Sequence, residues 1–300
     1  MKIIGEAAQQ VEKSVIPKLL LLAIWHKKFG MVTRAAGGTN TPHNMQQMGG
    51  NMEIKGSVAL VTGGTGGLGQ VIARKLAEVG ANIAVVYQSS EEIARNVCEE
   101  LTRMGVQAMP VQADVSKEAD VLRMAKEVGD RFGRIDILVN DAVYNIAVKY
   151  QDITGLTTAV WDKIMDVDLK GPFLCMRTFG LMMQKQGRGR IVNVSSIAGL
   201  LPVGSSIAYA VAKAGLIHLT KCMAVALAPS VLVNAVAPAY LEGTRATANL
   251  STEQVEQAKQ RSLSANVVLK EEVADQVLFF ARSDAITGQT LCMAGGGCFH

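Results

Sequence analysis

Cysteine is sparse and scattered in this chain. The five residues Cys98, Cys175, Cys222, Cys292 and Cys298 are odd in number, contain no C-x-x-C pair, and stand apart from the four histidines His26, His43, His218 and His300. That excludes a disulfide framework and a zinc site, so no metal is expected and a reducing, cytoplasmic setting is. Long basic runs are missing too: no stretch of Lys/Arg exceeds two residues, and the net charge of +4 is spread along the chain. Nucleic acid is therefore not an expected partner, because such proteins gather charge on one face. Arg188 and Arg190, in QGRGR, come nearest to a basic patch and read as a solvated turn. No apolar run is long enough to span a bilayer; Leu19–Trp25 has seven residues where roughly 20 are needed. Glu6 and Glu12 spoil the basic leader that a secretory signal would have.

What is present is an apolar chain, 49% hydrophobic and 19% charged, with enough material for a sizeable core and some left for self-association. Residues 1–51 differ from the rest. A short apolar run flanked by lysines leads into the Gly/Asn/Gln/Thr-rich MVTRAAGGTNTPHNMQQMGGN, which reads as a linker. Met52, opening MEIKGSVALVTGG, reads as a natural start, with the upstream stretch an incidental or disordered extension. An amphipathic helix over residues 14–28 lying on a membrane is the alternative, and membrane contact is the less expected of the two.

From Glu53 onward, short apolar runs alternate with segments of helical spacing. SVALVT (57–62) is bounded by glycines like a strand buried on both faces, and LGQVIARKLAEVG has apolar residues at 68, 71, 72, 76 and 79. NIAVVY, VQAMPVQ, IDILVN, RIVNVSS, VLVNAV and QTLCMA continue the strands. Between them, helical patterns end at Gly80 and Gly105 and recur near 157–185 and 205–228. The expected class is α/β: a doubly wound parallel sheet of about seven strands with helices on both faces, a Rossmann fold, as a single domain over residues 52–300. Ligands of such sheets lie beyond the strand C-termini, where strand order reverses. There stands TGGTGGLG, residues 62–69, readable as G-x-G-x-x-G (Gly64, Gly66, Gly69) or as T-G-x-x-x-G-x-G (Thr62, Gly63, Gly67, Gly69). Either register offers backbone N–H groups at a helix N-terminus to a pyrophosphate.

Downstream, SIAYAVAKAG puts Tyr209 and Lys213 four residues apart on one helix face, and Ser196 ends a strand thirteen residues before the tyrosine. With these motifs residues 53–300 resemble the classical short-chain dehydrogenase/reductase family, in particular its 3-oxoacyl reductases, which use the T-G-x-x-x-G-x-G register. The chemistry suits the residue types. Reducing a ketone needs a hydride from a nicotinamide and a proton for the developing alkoxide. A tyrosine, with a free pKa of about 10, is made usable by a lysine ammonium that favours the phenolate. The resemblance assigns Tyr209 as acid/base, Lys213 as its tuner and ribose ligand, and Ser196 as the hydroxyl that orients the carbonyl. It also implies cofactor contacts from Thr62, Gly63, Thr65, Gly67, Leu68, Gly69, Gln88, Asp114, Val115, Asn140 and Pro238. Asp114 has a second reading as a helix cap before Ser116. His218 reads as a packed or surface residue.

Four positions depart from the family pattern. Asp168, in DVDLKG, stands where an asparagine usually holds a water of the proton relay; as an anion it would steady Lys213 and partly cancel its field at Tyr209. N-N-A-G becomes Asn140, Asp141, Ala142, Val143, with a β-branched residue where a positive φ would be unfavourable. Ala239 and Ala294 replace a glycine and an acid. The second predicted strand ends in Tyr87 and Gln88 rather than an acid, followed by Ser89 and Ser90, which favours NADP(H) over NAD(H). Tyr240 to Asn266 is the expected substrate segment. It shows no evident charged anchor, so a neutral ketone or secondary alcohol is expected. A homodimer or homotetramer is expected through the two long helices. The rival reading is a weakly active or inactive scaffold of the same fold.

Overall fold

The computed structural model describes residues 52–244, 247 and 252–299. The expectations for residues 1–51 lie outside them. Seven parallel strands form one sheet in the order β3-β2-β1-β4-β5-β6-β7, with β1 Val58–Thr62, β2 Asn82–Tyr87, β3 Ala108–Gln112, β4 Ile137–Asn140, β5 Gly189–Val194, β6 Val231–Pro238 and β7 Thr290–Met293. The expected class is thus the observed one. Strand order reverses between β1 and β4, so the loops leaving these two strands diverge and open a crevice at their C-terminal ends.

β1 shows why these sequences become central strands. All five of its residues are buried, and successive side chains point to opposite faces. Ala59 and Val61 enter one core, with α1 (Gly67–Glu78), α2 (Glu91–Arg103) and α8 (Lys270–Arg282). Val58 and Leu60 enter the other, with α3 (Glu118–Phe132), α5 (Gly171–Gln186) and α6 (Ile207–Leu227). The strands therefore carry continuous apolar runs. By length and composition α6 is apolar enough to cross a membrane, but it is a core helix, with Ala212, Leu216, Met223 and Leu227 buried.

Two local readings change. The stretch predicted as one helix near 157–185 is interrupted: α4 (Thr158–Met165) passes through a π-helical turn, Asp166–Lys170, before α5. Such turns carry one extra residue and sit where a side chain must be re-aimed; Asp168 is in this one. QGRGR is a solvated turn only in its first half, Gln186–Arg188 being exposed around the turn at Gly187. Arg190 is buried on β5, its Nε donating to the Ser283 carbonyl at 2.8 Å and its guanidinium paired with Asp284. A buried cation needs such a partner, and Arg188 shares it at 2.8 Å.

A line of buried polar side chains holds the middle of the sheet to α6. Asn140 donates to Asn193 at 2.8 Å, and Asn193 donates to Thr220 at 2.9 Å. Asn193→Ala should leave the Asn140 amide without its acceptor, costing about 1–3 kcal/mol. Urea unfolding should show this as a lower midpoint with an unchanged slope.

Candidate active site

The glycine stretch leaves β1 and opens α1. Its geometry selects a register. Gly63 has φ +67°, and a Cβ there would stand 3.0 Å from the backbone of Ala142. A Cβ on Gly67 would collide with the carbonyl oxygen of Gly243, and one on Gly69 with that of Gly63. Gly66 meets nothing nearer than 3.1 Å, at ordinary negative φ. Gly64 is crowded as well, a Cβ there lying 2.9 Å from the Val85 side chain and 3.0 Å from the Val61 carbonyl oxygen. Gly66 alone therefore separates the registers: all three glycines of T-G-x-x-x-G-x-G are tightly confined, but not all three of G-x-G-x-x-G.

Thr62 is used differently from the expectation. Its hydroxyl accepts the N–H groups of Asp141 at 3.0 Å and Ala142 at 3.1 Å, and donates to the Val139 carbonyl at 3.3 Å. It pins the loop after β4 against β1 and is buried. Thr62, Gly69 and Asn140 lie behind the cavity wall rather than on it, because their polar groups or missing side chains are already used within the protein. The other expected cofactor residues, Gly63, Thr65, Gly67, Leu68, Gln88, Asp114, Val115, Lys213 and Pro238, all line one cavity of about 680 Å³, a size suited to a ligand. Asp114 lines the cavity and caps no helix, since Lys117 is the N-cap of α3. Oδ1 accepts from the Ser116 N–H at 3.0 Å, while Oδ2 accepts from Gln88 at 3.1 Å at the cavity wall. Val143 also lines the cavity. It needs no positive φ, since Ala265 is the only non-glycine with one among the described residues.

Ser196, Tyr209 and Lys213 meet in this cavity. Ser196 ends the segment after β5 and caps a short 3₁₀ turn, Ile197–Gly199, with Ala198 N–H donating to its Oγ at 3.2 Å. Its hydroxyl also lowers the Tyr209 pKa from nearby. Ser206 caps α6 through the Tyr209 N–H at 3.2 Å, which places the tyrosine in the first turn and the lysine one turn later. The Lys213 Nζ donates to the Val194 carbonyl at 3.1 Å and stands 5.6 Å from the Tyr209 ring centre. It lies 3.6 Å from Asp168 Oδ2. Asp168 is wholly buried just behind the cavity, Oδ1 accepting the Tyr144 N–H at 2.8 Å.

The electrostatics follow from this burial. Desolvation works against the Lys213 ammonium, yet Asp168, Tyr209 and Asp141 together hold it above its ordinary pKa. Burial raises Asp168 to about 6, against the pull of Lys213 and the Tyr144 N–H. Burial raises Asp141 to about 8, against Lys213 and an N–H from Gly69. Tyr209 departs from expectation. Burial raises it, with Asp168 and Asp141 adding to the rise, and outweighs the lowering by Lys213 and the Ser196 hydroxyl, so its pKa stands above the free value.

Asp141 was not singled out as a site residue, although its position in N-D-A-V could have flagged it. Asn145, Tyr150, Gln151 and Val203 were also missed; they line the cavity from loops without motifs. Tyr150 is fixed there by donating to the Val203 carbonyl at 2.6 Å. The expected substrate segment contributes Tyr240, Leu241, Thr244, Thr247, Gln257 and Arg261. Arg261 is a charged group that the sequence reading had not placed at the ligand. His218 is exposed on α6, away from the chemistry.

A glycine loop at a helix N-terminus, at the reversal of a doubly wound sheet and opposite a Ser–Tyr–Lys cluster, defines a dinucleotide-dependent oxidoreductase. The comparisons specify it further. The short chain dehydrogenase family matches residues 57–255. The 3-oxoacyl-acyl-carrier-protein reductase of Staphylococcus epidermidis is 37% identical over 244 residues, 79% of this chain and 97% of the relative. That of Synechocystis is 37% identical over 252 residues, 81% and 97%. Among solved structures, a short chain dehydrogenase from Burkholderia cenocepacia in complex with NADP superposes with TM-score 0.75 at 29% identity, over 82% of this chain and 99% of that one. The chain belongs to the short-chain dehydrogenase family. It is an NAD(P)-dependent oxidoreductase.

Gly69→Ala should abolish dinucleotide binding and lower stability by about 1–3 kcal/mol, since backbone must move. Gly66→Ala, whose Cβ would stand 3.1 Å from the Gly63 carbonyl oxygen at the cavity wall, should cost less than Gly69→Ala in both binding and stability. Nicotinamide fluorescence titration and thermal melts compare the two.

Proposed function

We propose that the protein reduces a 3-oxoacyl-type ketone to the 3-hydroxy product with NADPH, and that Tyr209 gives the proton. The observation that carries this is the meeting of Ser196, Tyr209 and Lys213 in the same cavity as the glycine loop. The dinucleotide, when bound, supplies the hydride. The residues of the chain do the rest. The Ser196 hydroxyl orients the substrate carbonyl by hydrogen bonding to its oxygen. The Tyr209 hydroxyl protonates that oxygen as charge develops on it. Lys213 holds the nicotinamide ribose, and its ammonium favours the tyrosinate left behind, which regains its proton from solvent.

The preference for NADP(H) rests on the end of β2. At the strand end Gln88, Ser89 and Ser90 line the cavity in place of the acid that would hold a ribose 2′-OH, with Asp114 on Gln88 and Glu91 and Glu92 in the first turn of α2 the nearby acids. Ser90 is the N-cap of α2 without a side-chain cap bond, so its hydroxyl and the first N–H groups of the helix are free to receive an anion. The bound NADP of the Burkholderia cenocepacia structure is in keeping with this. The 3-oxoacyl substrate follows the reductases that the chain resembles. Residues 52–300 are read as one catalytic domain, working in the cytoplasm as a homodimer or homotetramer. Exposed Phe173 and Leu181 on α5 and Val211 and Val225 on α6 suit the interface.

NADPH should bind well below millimolar and NADH more weakly. Acetoacetyl thioester reduction should fall about 10²–10⁴-fold in Tyr209→Phe and about 10²–10³-fold in Ser196→Ala, with NADPH binding retained in both. Binding without turnover in the parent protein would instead support the scaffold reading.

A further inference from the structure

Asp168 is a carboxylate with one oxygen unaccounted for. It has no exposed surface, and Oδ2 has no hydrogen-bond partner. Its nearest charge is the Lys213 ammonium, at 3.6 Å. The π turn holds it in this position from the far side of α6, and the Tyr144 N–H fixes its other oxygen at 2.8 Å. The groups that face Tyr209 are few. Lys213 comes from its own helix, Ser196 from the end of β5, Asp141 from the end of β4 and Asp168 from the π turn. β6 brings only the uncharged Pro238 and Ala239 to the cavity. The cation beside the phenol is thus compensated chiefly by Asp168, because Asp141, raised to about 8 by burial, is mostly protonated in the neutral range. An amide at position 168 would keep the bond to Tyr144 and leave the ammonium uncompensated on that side.

A tyrosine that must donate a proton and one that must accept it need opposite surroundings. In reduction the nicotinamide hydride forms a C–H bond at the carbonyl carbon and the phenol proton forms an O–H bond at its oxygen, leaving oxidised nicotinamide and tyrosinate. In oxidation of an alcohol, the alcohol O–H breaks toward a tyrosinate that must already exist. A fixed anion near the ring disfavours tyrosinate.

Building on the reading of Tyr209 as the proton donor, we propose that Asp168 is a positioning residue that sets the pH range over which the site holds its proton donor. By compensating Lys213 it keeps the Tyr209 hydroxyl protonated through the neutral range, so that tyrosinate forms only in alkali. The upward displacement of Tyr209 from its ordinary value, to which Asp168 contributes, agrees with this.

Two measurements test it. The first is the pH titration of tyrosinate absorbance in the free protein, taken as the difference between the parent and Tyr209→Phe. Tyr209 should titrate above the free-phenol value of about 10. The second is the pH profile of kcat/KM in both directions, with acetoacetyl and 3-hydroxybutyryl thioesters, for the parent and Asp168→Asn. The variant should move the alkaline fall of reduction and the alkaline rise of oxidation down together, by about one pH unit. A limb that stays in place, or moves up, overturns the proposal. So does a Tyr209 that titrates well below 10 in the parent, a result that needs no variant to fold. If Tyr209→Phe keeps its turnover, the reading of Tyr209 itself fails, which is separable from either result for Asp168.

Discussion

An ammonium taken out of water is costly unless its charge is met, and the surroundings of Lys213 are organised around that requirement. Only 4% of the residue is exposed. Its Nζ is met by the Val194 carbonyl at a strand end and by the Asp168 carboxylate from a distorted helix. Its own carbonyl accepts from Ser195 at 3.0 Å, which ties the helix to that same strand end. Close packing continues at Gly199, where a Cβ would come within 2.6 Å of the Lys213 backbone. The 3₁₀ turn carrying Ser196 can therefore sit directly against α6. Serine and tyrosine come together because the lysine between sheet and helix has been accommodated.

The sheet explains why residues so distant in sequence converge. In a parallel sheet every strand ends on the same edge. β1 delivers the glycine loop, β4 delivers Asp141, and β5 delivers Ser196. Behind them, Thr62 fastens the β4 loop to β1, and Asn140, Asn193 and Thr220 fasten β4 and β5 to α6. These buried polar groups lie off the cavity lining, but they hold the groups on it at fixed spacing. A half-satisfied network of this kind would be worse than an apolar core, which is why each member has its partner.

Much of this was legible in the chain itself. Alternating apolar runs and helical spacings gave the sheet, because strands buried on both faces leave a continuous apolar imprint. The spacing of Ser196, Tyr209 and Lys213 gave the cluster, because one helix turn and one strand end fix it locally. What stayed hidden depends on tertiary packing. The burial of Arg190 is decided by Asp284, which lies almost a hundred residues away. The π turn at Asp168 leaves the periodicity around it nearly intact. The sign of the Tyr209 shift is a balance of burial against one cation and two carboxyls, and no pairwise motif contains it. Arg261 reaches the cavity from a segment whose sequence has no pattern to announce it.

The approach of Gly67 to the Gly243 carbonyl links two parts that are usually regarded as separate. The strand-end residues hold the reaction chemistry constant, whereas the segment from Tyr240 onward supplies much of the remaining wall and is the natural place for substrate preference to drift. That drift is tethered. Side chains along the segment can be exchanged, but its backbone at residue 243 must keep its distance from the glycine loop. Descendants of this chain that acquire new substrates would therefore do so by repainting the wall around one fixed peptide, not by moving it.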